Sequence, residues 1–141
     1  DEVAELLGDT WESYFEAGRQ FTAASDVPWF DSAGATYQAM VNQLEAAYEE
    51  TDGTPIPLEE NDQVKDLYET VLAAAVDDGL SAGLAQWSED WTNSFQNDGF
   101  ATMLCPGWML GVIEGNAAGV TGWDIADTFP GGGGNWGGSF L

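Results

Sequence analysis

The chain has 141 residues, 25 of them acidic and only two basic, Arg19 and Lys65, for a formal charge of −23. So anionic an exterior excludes binding to nucleic-acid phosphates or acidic lipid, both of which call for Lys and Arg. Yet 44% hydrophobic and 13% aromatic residues are too many for a disordered acidic tail, and the length suits one domain with a sizeable core. Histidine is absent, which removes the commonest general base and the most frequent metal ligand. The single Cys105 has no partner for a disulfide within the chain and sits in an apolar run, as a small buried hydrophobe would. The longest apolar region, 99–113, is broken by Pro106 and Gly107, so no segment reads as a membrane span or a signal peptide.

In chain order, Asp9-Thr10-Trp11-Glu12 supplies a cap and an acid in the first turn, and Trp11, Tyr14, Phe15, Gly18 and Phe21 follow at helical spacing. This predicts an amphipathic helix running to about residue 24. Pro28 stops Val27 from continuing it and leaves Trp29 and Phe30 in a turn-rich loop without periodic partners. A second helix is predicted through Tyr37, Met40, Val41, Leu44, Ala47 and Tyr48, ending near Thr51-Asp52-Gly53, with a hairpin or plain loop through Pro55 and Pro57. A third starts at Asn61 or Asp62, buries Val64, Leu67, Tyr68, Val71, Leu72, Ala75 and Val76, and stops at Asp77-Asp78-Gly79.

Ser88 caps a short helix with Trp91 and Phe95, closed by Asn97-Asp98-Gly99. Residues 100–105 then read as a buried strand, 108–114 as a brief helix after the Gly107 turn, and 122–126 as another strand. After the glycine run 131–134, residues 135–141 look like the start of a strand. The last strand has no successor and the first residue no leader, so a piece of a longer chain is expected.

Seven tryptophans are the least ordinary feature of the composition. Trp11 and Trp91 fall on inner helix faces, and Trp87 and Trp123 beside caps or strands, where packing is the expectation. Trp29, Trp108 and Trp136 each follow Pro, Gly or Asn at a turn, the kind of position from which loops build a cleft. An indole there offers its face to the axial hydrogens of a pyranose while amides and carboxylates meet the hydroxyls. Acidic surroundings suit neutral polyols and cations and oppose anions.

Other motifs carry less. The tract 131–139 has the glycines of a phosphate cradle but no Lys before Ser139. Asp77-Asp78 and Glu49-Glu50 lack the spaced ligands and central glycine of a calcium loop. No carboxylate pair is marked out for glycoside hydrolysis by spacing. No cofactor or metal is expected.

The order of segments Thr10-Trp11-Glu12, Pro28-Trp29-Phe30, Asp78-Gly79-Leu80, Trp87 to Phe95, Gly99-Phe100-Ala101-Thr102-Met103 and Gly107-Trp108 resembles the sugar-binding proteins of ABC importers. The tract from Ala101 to Trp108, followed by Gly122-Trp-Asp-Ile-Ala-Asp127, is its most specific part. It looks closest to the actinobacterial binders of cello-oligosaccharides, within the broad family of maltose-binding protein. The resemblance implies an α/β, periplasmic-binding-protein-like fold of the second type, here mostly helical with a few strands. Residues 1–141 would be most of the second of two lobes. It implies non-catalytic capture of an oligosaccharide by lobe closure, an ABC permease as partner, a monomer, and a place outside the cytoplasmic membrane, lipid-anchored or periplasmic. Carried over residue by residue, Trp108 and Trp29 would stack on the sugar, with Phe30 beside them. Trp136 and Asn135 would contact it near the hinge, and Asp26 is a candidate for the acid that some relatives place before the proline, where this chain has Val27. Two alternatives stay open: a carboxylate-dependent glycoside hydrolase, and a receptor of the same shape for a non-sugar solute.

Overall fold

The structure, a computed structural model, describes residues 2–137. A short helix α1 (Glu2–Leu7), which the sequence patterning did not mark, precedes α2 (Trp11–Ala24). The start of α2 is fixed by a reciprocal cap: the Thr10 hydroxyl accepts from the Ser13 N–H at 3.1 Å, and the Ser13 hydroxyl accepts from the Thr10 N–H at 3.2 Å. Tyr14, Phe15, Ala17 and Gly18 form its buried stripe, close to the predicted one.

The next helix, α3 (Ala33–Val41), is capped by Ser32 and stops well short of Tyr48, where apolar spacing would carry it. Its propagation is broken by tertiary bonds. The Asn42 carbonyl, which a continuing helix would use four residues on, instead accepts from the Asn135 N–H at 3.2 Å. The chain turns back, the Tyr48 hydroxyl meets that of Tyr37 at 2.6 Å, and a single antiparallel bridge joins Glu49 to Pro55.

Asn61 opens α4 (Asp62–Leu72): its side chain accepts from the Val64 N–H and donates to the Ala47 carbonyl. The helix widens into a π-turn, Ala73–Asp77, and Gly79 leaves it with φ +67°. The predicted apolar face is divided. Val64 and Val71 are buried, joined by Ala74, which was not expected on that face, whereas Tyr68, Leu72 and Val76, one turn apart, face outward.

Residues 28–31 run through the middle of the molecule, parallel to two flanking segments. On one side the N–H groups of Trp29 and Phe30 donate to the Leu80 carbonyl, and Ala82 N–H donates to the Phe30 carbonyl at 2.8 Å. On the other side Ala101 N–H donates to the Pro28 carbonyl and Thr102 N–H to that of Trp29. The pairing is one parallel bridge deep on each side, Phe30 to Ser81 and Phe30 to Thr102, and no strand forms among the described residues. The expected strand at 100–105 is therefore corrected to this single contact; Pro106, which has no N–H, bounds it. Segment 122–126 is also irregular: Gly122 adopts φ +128°, outside the β region, and Trp123 packs on Phe95 and Phe100 instead. Residues 135–137 form no strand, and 138–141 lie outside the described residues.

Ser88 caps α5 (Glu89–Ser94) as expected. A 3₁₀ turn, Gly107–Met109, leads into α6 (Leu110–Ala117), which ends three residues beyond the predicted end and is closed by Ala118 at φ +49°. Two hydrophobic clusters result. The larger gathers Tyr14, Phe15, Trp29, Phe30, Met40 and Leu80, and the smaller Trp91, Phe95, Phe100 and Met109. Asp31, the last residue of the central segment, reaches from the first to the second, where it accepts from the Trp91 indole.

Candidate functional site

A cleft of about 420 Å³ opens between the end of α3, the turn before α6 and the glycine-rich segment. That size lies within the range of roughly 300–1,000 Å³ common for small-molecule sites. It is lined by Ala39, Asn42, Cys105, Pro106, Gly107, Trp108, Phe129, Gly133, Gly134, Asn135, Trp136 and Gly137. None of these is acidic, in a chain with 25 acids. What the cleft presents is two indoles, two carboxamides and the bare backbone of glycines, the chemistry of a site for an uncharged ligand with both apolar faces and hydroxyls. A second, shallow hollow of about 360 Å³ beside α1 has Glu5, Asp9 and Asp127 in its lining and no aromatic ring.

Trp108 stands on the cleft because Gly107, following Pro106, starts the 3₁₀ turn directly at its edge. It is 52% exposed, and its indole N–H donates to the Trp136 carbonyl at 3.1 Å, which ties the two aromatic residues together. Asn135 is exposed beside them, held by its backbone N–H on the Asn42 carbonyl. The glycine-rich wall is fastened from inside by Gln43. Its amide donates to the carbonyls of Pro130 and Gly132 at 2.8 and 2.7 Å, while its carbonyl oxygen accepts from the Trp11 indole at 2.8 Å. Gly131, at φ +74°, packs so closely that a β-carbon would sit 2.7 Å from the Gln43 oxygen. Asn42 and Gln43 were not singled out by sequence, since a polar pair ending a helix looks like any solvated cap.

The structure brings together Trp108, Trp136 and Asn135 and separates the other expected contacts from them. Trp29 is 4% exposed, its ring against Tyr14 and Phe21 at 5.5 and 5.4 Å and over Gly18 of α2. Phe30 is 0% exposed. Neither offers a face to a ligand; both are central because backbone pairing on either side draws residues 28–31 inside. Asp26 is exposed but does not line the cleft. Trp87, expected to pack, is instead 60% exposed.

Two titratable groups near the site are perturbed. Burial pushes the Cys105 thiol up, with the Asp31 charge adding to the effect, so it stays protonated and unreactive at neutral pH. Burial also raises Asp31, opposed by hydrogen bonds from Gln86 and Trp91. No cluster of three or more His, Cys, Asp or Glu side chains suited to a metal ion occurs among the described residues.

No protein-family model matches this sequence, and no curated protein does. A solved structure, the crystal structure of an extracellular solute-binding protein family 1, is 51% identical over 96% of this chain, with a TM-score of 0.87. The chain thus has the fold of part of that protein, and spans 34% of its length.

Proposed function

We propose that this chain belongs to the extracellular solute-binding proteins of family 1 and forms one wall of a cleft that captures a neutral oligosaccharide. The observation that carries the reading is the uncharged, indole-lined cleft in an otherwise strongly acidic molecule. A sugar's apolar ring face would rest on Trp108, and its hydroxyls would exchange hydrogen bonds with Asn42, Asn135 and the glycine backbone. The 51% identity to a solute-binding protein supports a binding role, and its greater length supports a second wall supplied by further chain.

The mechanism needs no covalent step. Contacts from both walls favour the closed form of the protein, and the difference in ligand affinity between open and closed forms drives closure. A membrane permease of the ABC type then reads the closed form. The whole protein works as a monomer outside the cytoplasmic membrane, lipid-anchored or periplasmic. Trp108, Trp136 and Asn135 are the ligand contacts on this wall.

Titration calorimetry with cellobiose and maltose tests this on the 141-residue chain and on one extended to the length of the solved relative. Weak binding by the first and stronger binding by the second is expected, because an isolated wall makes half the contacts. Failure of both to bind either sugar, with binding of a peptide or metal complex instead, would overturn the reading. So would release of reducing sugar that one acid substitution abolishes.

A further inference from the structure

Trp87 stands out against everything else in the chain. It is 60% exposed, and its φ of +72° is a left-handed conformation that a bulky residue rarely adopts. The reason is local: Ser88 N–H donates to the Ala85 carbonyl at 3.1 Å, closing a turn whose third residue is Trp87. Turns with a positive φ at that position favour glycine. A large ring is thus held on the surface at a place where the backbone would prefer no side chain. Strain of this kind collects at ligand clamps.

The ring is also aimed. Its plane lies 7° from that of Trp108, with centroids 6.3 Å apart, so two largely exposed indoles run parallel at the edge of the cleft. From below, Trp87 rests on Trp91 at 5.4 Å, and Trp91 is wholly buried. Gln86, inside the turn, and Trp91, in the helix that follows it, are fastened to one atom: Oδ2 of Asp31, 2% exposed, accepts from Gln86 Nε2 at 2.9 Å and from Trp91 Nε1 at 2.8 Å. The Asp31 carbonyl accepts from Leu84 N–H as well, anchoring the approach to the turn.

We propose that Trp87 is a second stacking residue, extending the Trp108 surface beyond the cleft, and that buried Asp31 is the positioning residue that holds it there. This rests on the reading of the cleft as a carbohydrate site. Trp87 sets a second exposed ring 6.3 Å from that of Trp108, so a longer oligosaccharide gains a contact that a disaccharide does not. Asp31 touches no ligand; it acts through Gln86 and Trp91.

The test follows the indole N–H resonances of the chain during titration with cellobiose and cellotetraose, in the wild type and in Trp87→Gly, Trp108→Ala, Asp31→Ala and Asp31→Asn. Both the Trp87 and Trp108 signals are expected to move in the wild type. Trp87→Gly should weaken cellotetraose binding roughly two- to tenfold, the worth of one aromatic contact, while thermal stability holds, because glycine suits the turn. Asp31→Ala should weaken it similarly, and Asp31→Asn should not, since one amide oxygen can accept from both donors. If Asp31→Ala does not fold, Gln86→Leu, which removes one donor, takes its place. Loss of binding in Trp108→Ala with unchanged affinity in Trp87→Gly would overturn this inference and leave the cleft reading intact. No response of any indole to either sugar would overturn both.

Discussion

Gly18 and Trp29 are in direct contact: a β-carbon on the glycine would lie 2.5 Å from Cδ1 of the indole. The bare backbone at mid-helix is what lets a tryptophan from the following loop lie flat against α2. Gly18→Ala sets two effects against each other. Alanine favours a helix over glycine by about 0.5–1 kcal/mol, but overpacking a core costs about 1–3 kcal/mol. The clash is with a fully packed ring, so net destabilisation of about 1–2 kcal/mol is expected in chemical denaturation. A variant as stable as the wild type would contradict this packing.

Trp29 separates a core role from a ligand role. Its buried indole N–H has no hydrogen-bond partner among the described residues, so Trp29→Phe discards a group that costs free energy where it is. We expect Trp29→Phe to lose less stability than the roughly 3–5 kcal/mol of Trp29→Ala, and to leave sugar affinity unchanged. A fall in affinity at constant stability would return Trp29 to the site.

Gln43 links three parts of the chain through one carboxamide. Gln43→Ala leaves the Trp11 indole without its acceptor and frees the carbonyls of Pro130 and Gly132. The expected cost is about 1–3 kcal/mol, together with faster hydrogen exchange at the Gly131 and Gly132 amides and weaker ligand binding. Unchanged exchange there would mean that the glycine-rich wall holds itself.

Asp31 predicts a pH dependence with a definite sign. Burial holds its carboxyl protonated to higher pH in the folded chain than in the unfolded one. Over that interval the folded state binds more protons, so the contribution to stability is full below the ordinary aspartate range and declines as pH rises through the raised folded value. Asp31→Asn removes the titration and can keep both hydrogen bonds. Denaturation of both proteins across pH should show the variant gaining on the wild type as pH rises; a constant difference would sink the argument.

Trp108→Ala should act on binding far more than on folding. The ring is half exposed and makes one hydrogen bond, so a stability loss of about 1 kcal/mol or less is expected. The affinity for cellotetraose should fall by more than that of Trp29→Phe, measured by the same calorimetry.

The elements whose signals are local were legible in the sequence. Thr10 and Ser88 cap α2 and α5 where predicted, Asn61 opens α4, and Gly79 ends its extension, because a cap depends on residues within one turn of each other. The turn that lifts Trp108 to a cleft edge was legible for the same reason. Local patterning failed where distant segments compete for the same backbone groups. Asn42 gives its carbonyl to Asn135, about two thirds of the chain away in sequence, and α3 stops.

Composition and spacing determined an acidic, aromatic-rich chain, its principal helices and the bends at Trp29 and Trp108, though not the one at Trp87. Tertiary structure alone decided which of those rings stay outside. Trp29 follows Pro28 into the centre because two neighbouring segments bond its backbone and Gly18 leaves room for its ring. Trp87 remains on the surface because a buried carboxylate, 55 residues from Gln86 and 60 from Trp91 in sequence, fixes the turn beneath it. A bend places an indole at the surface or in the core with equal ease; the partners that arrive from elsewhere in the chain make the choice.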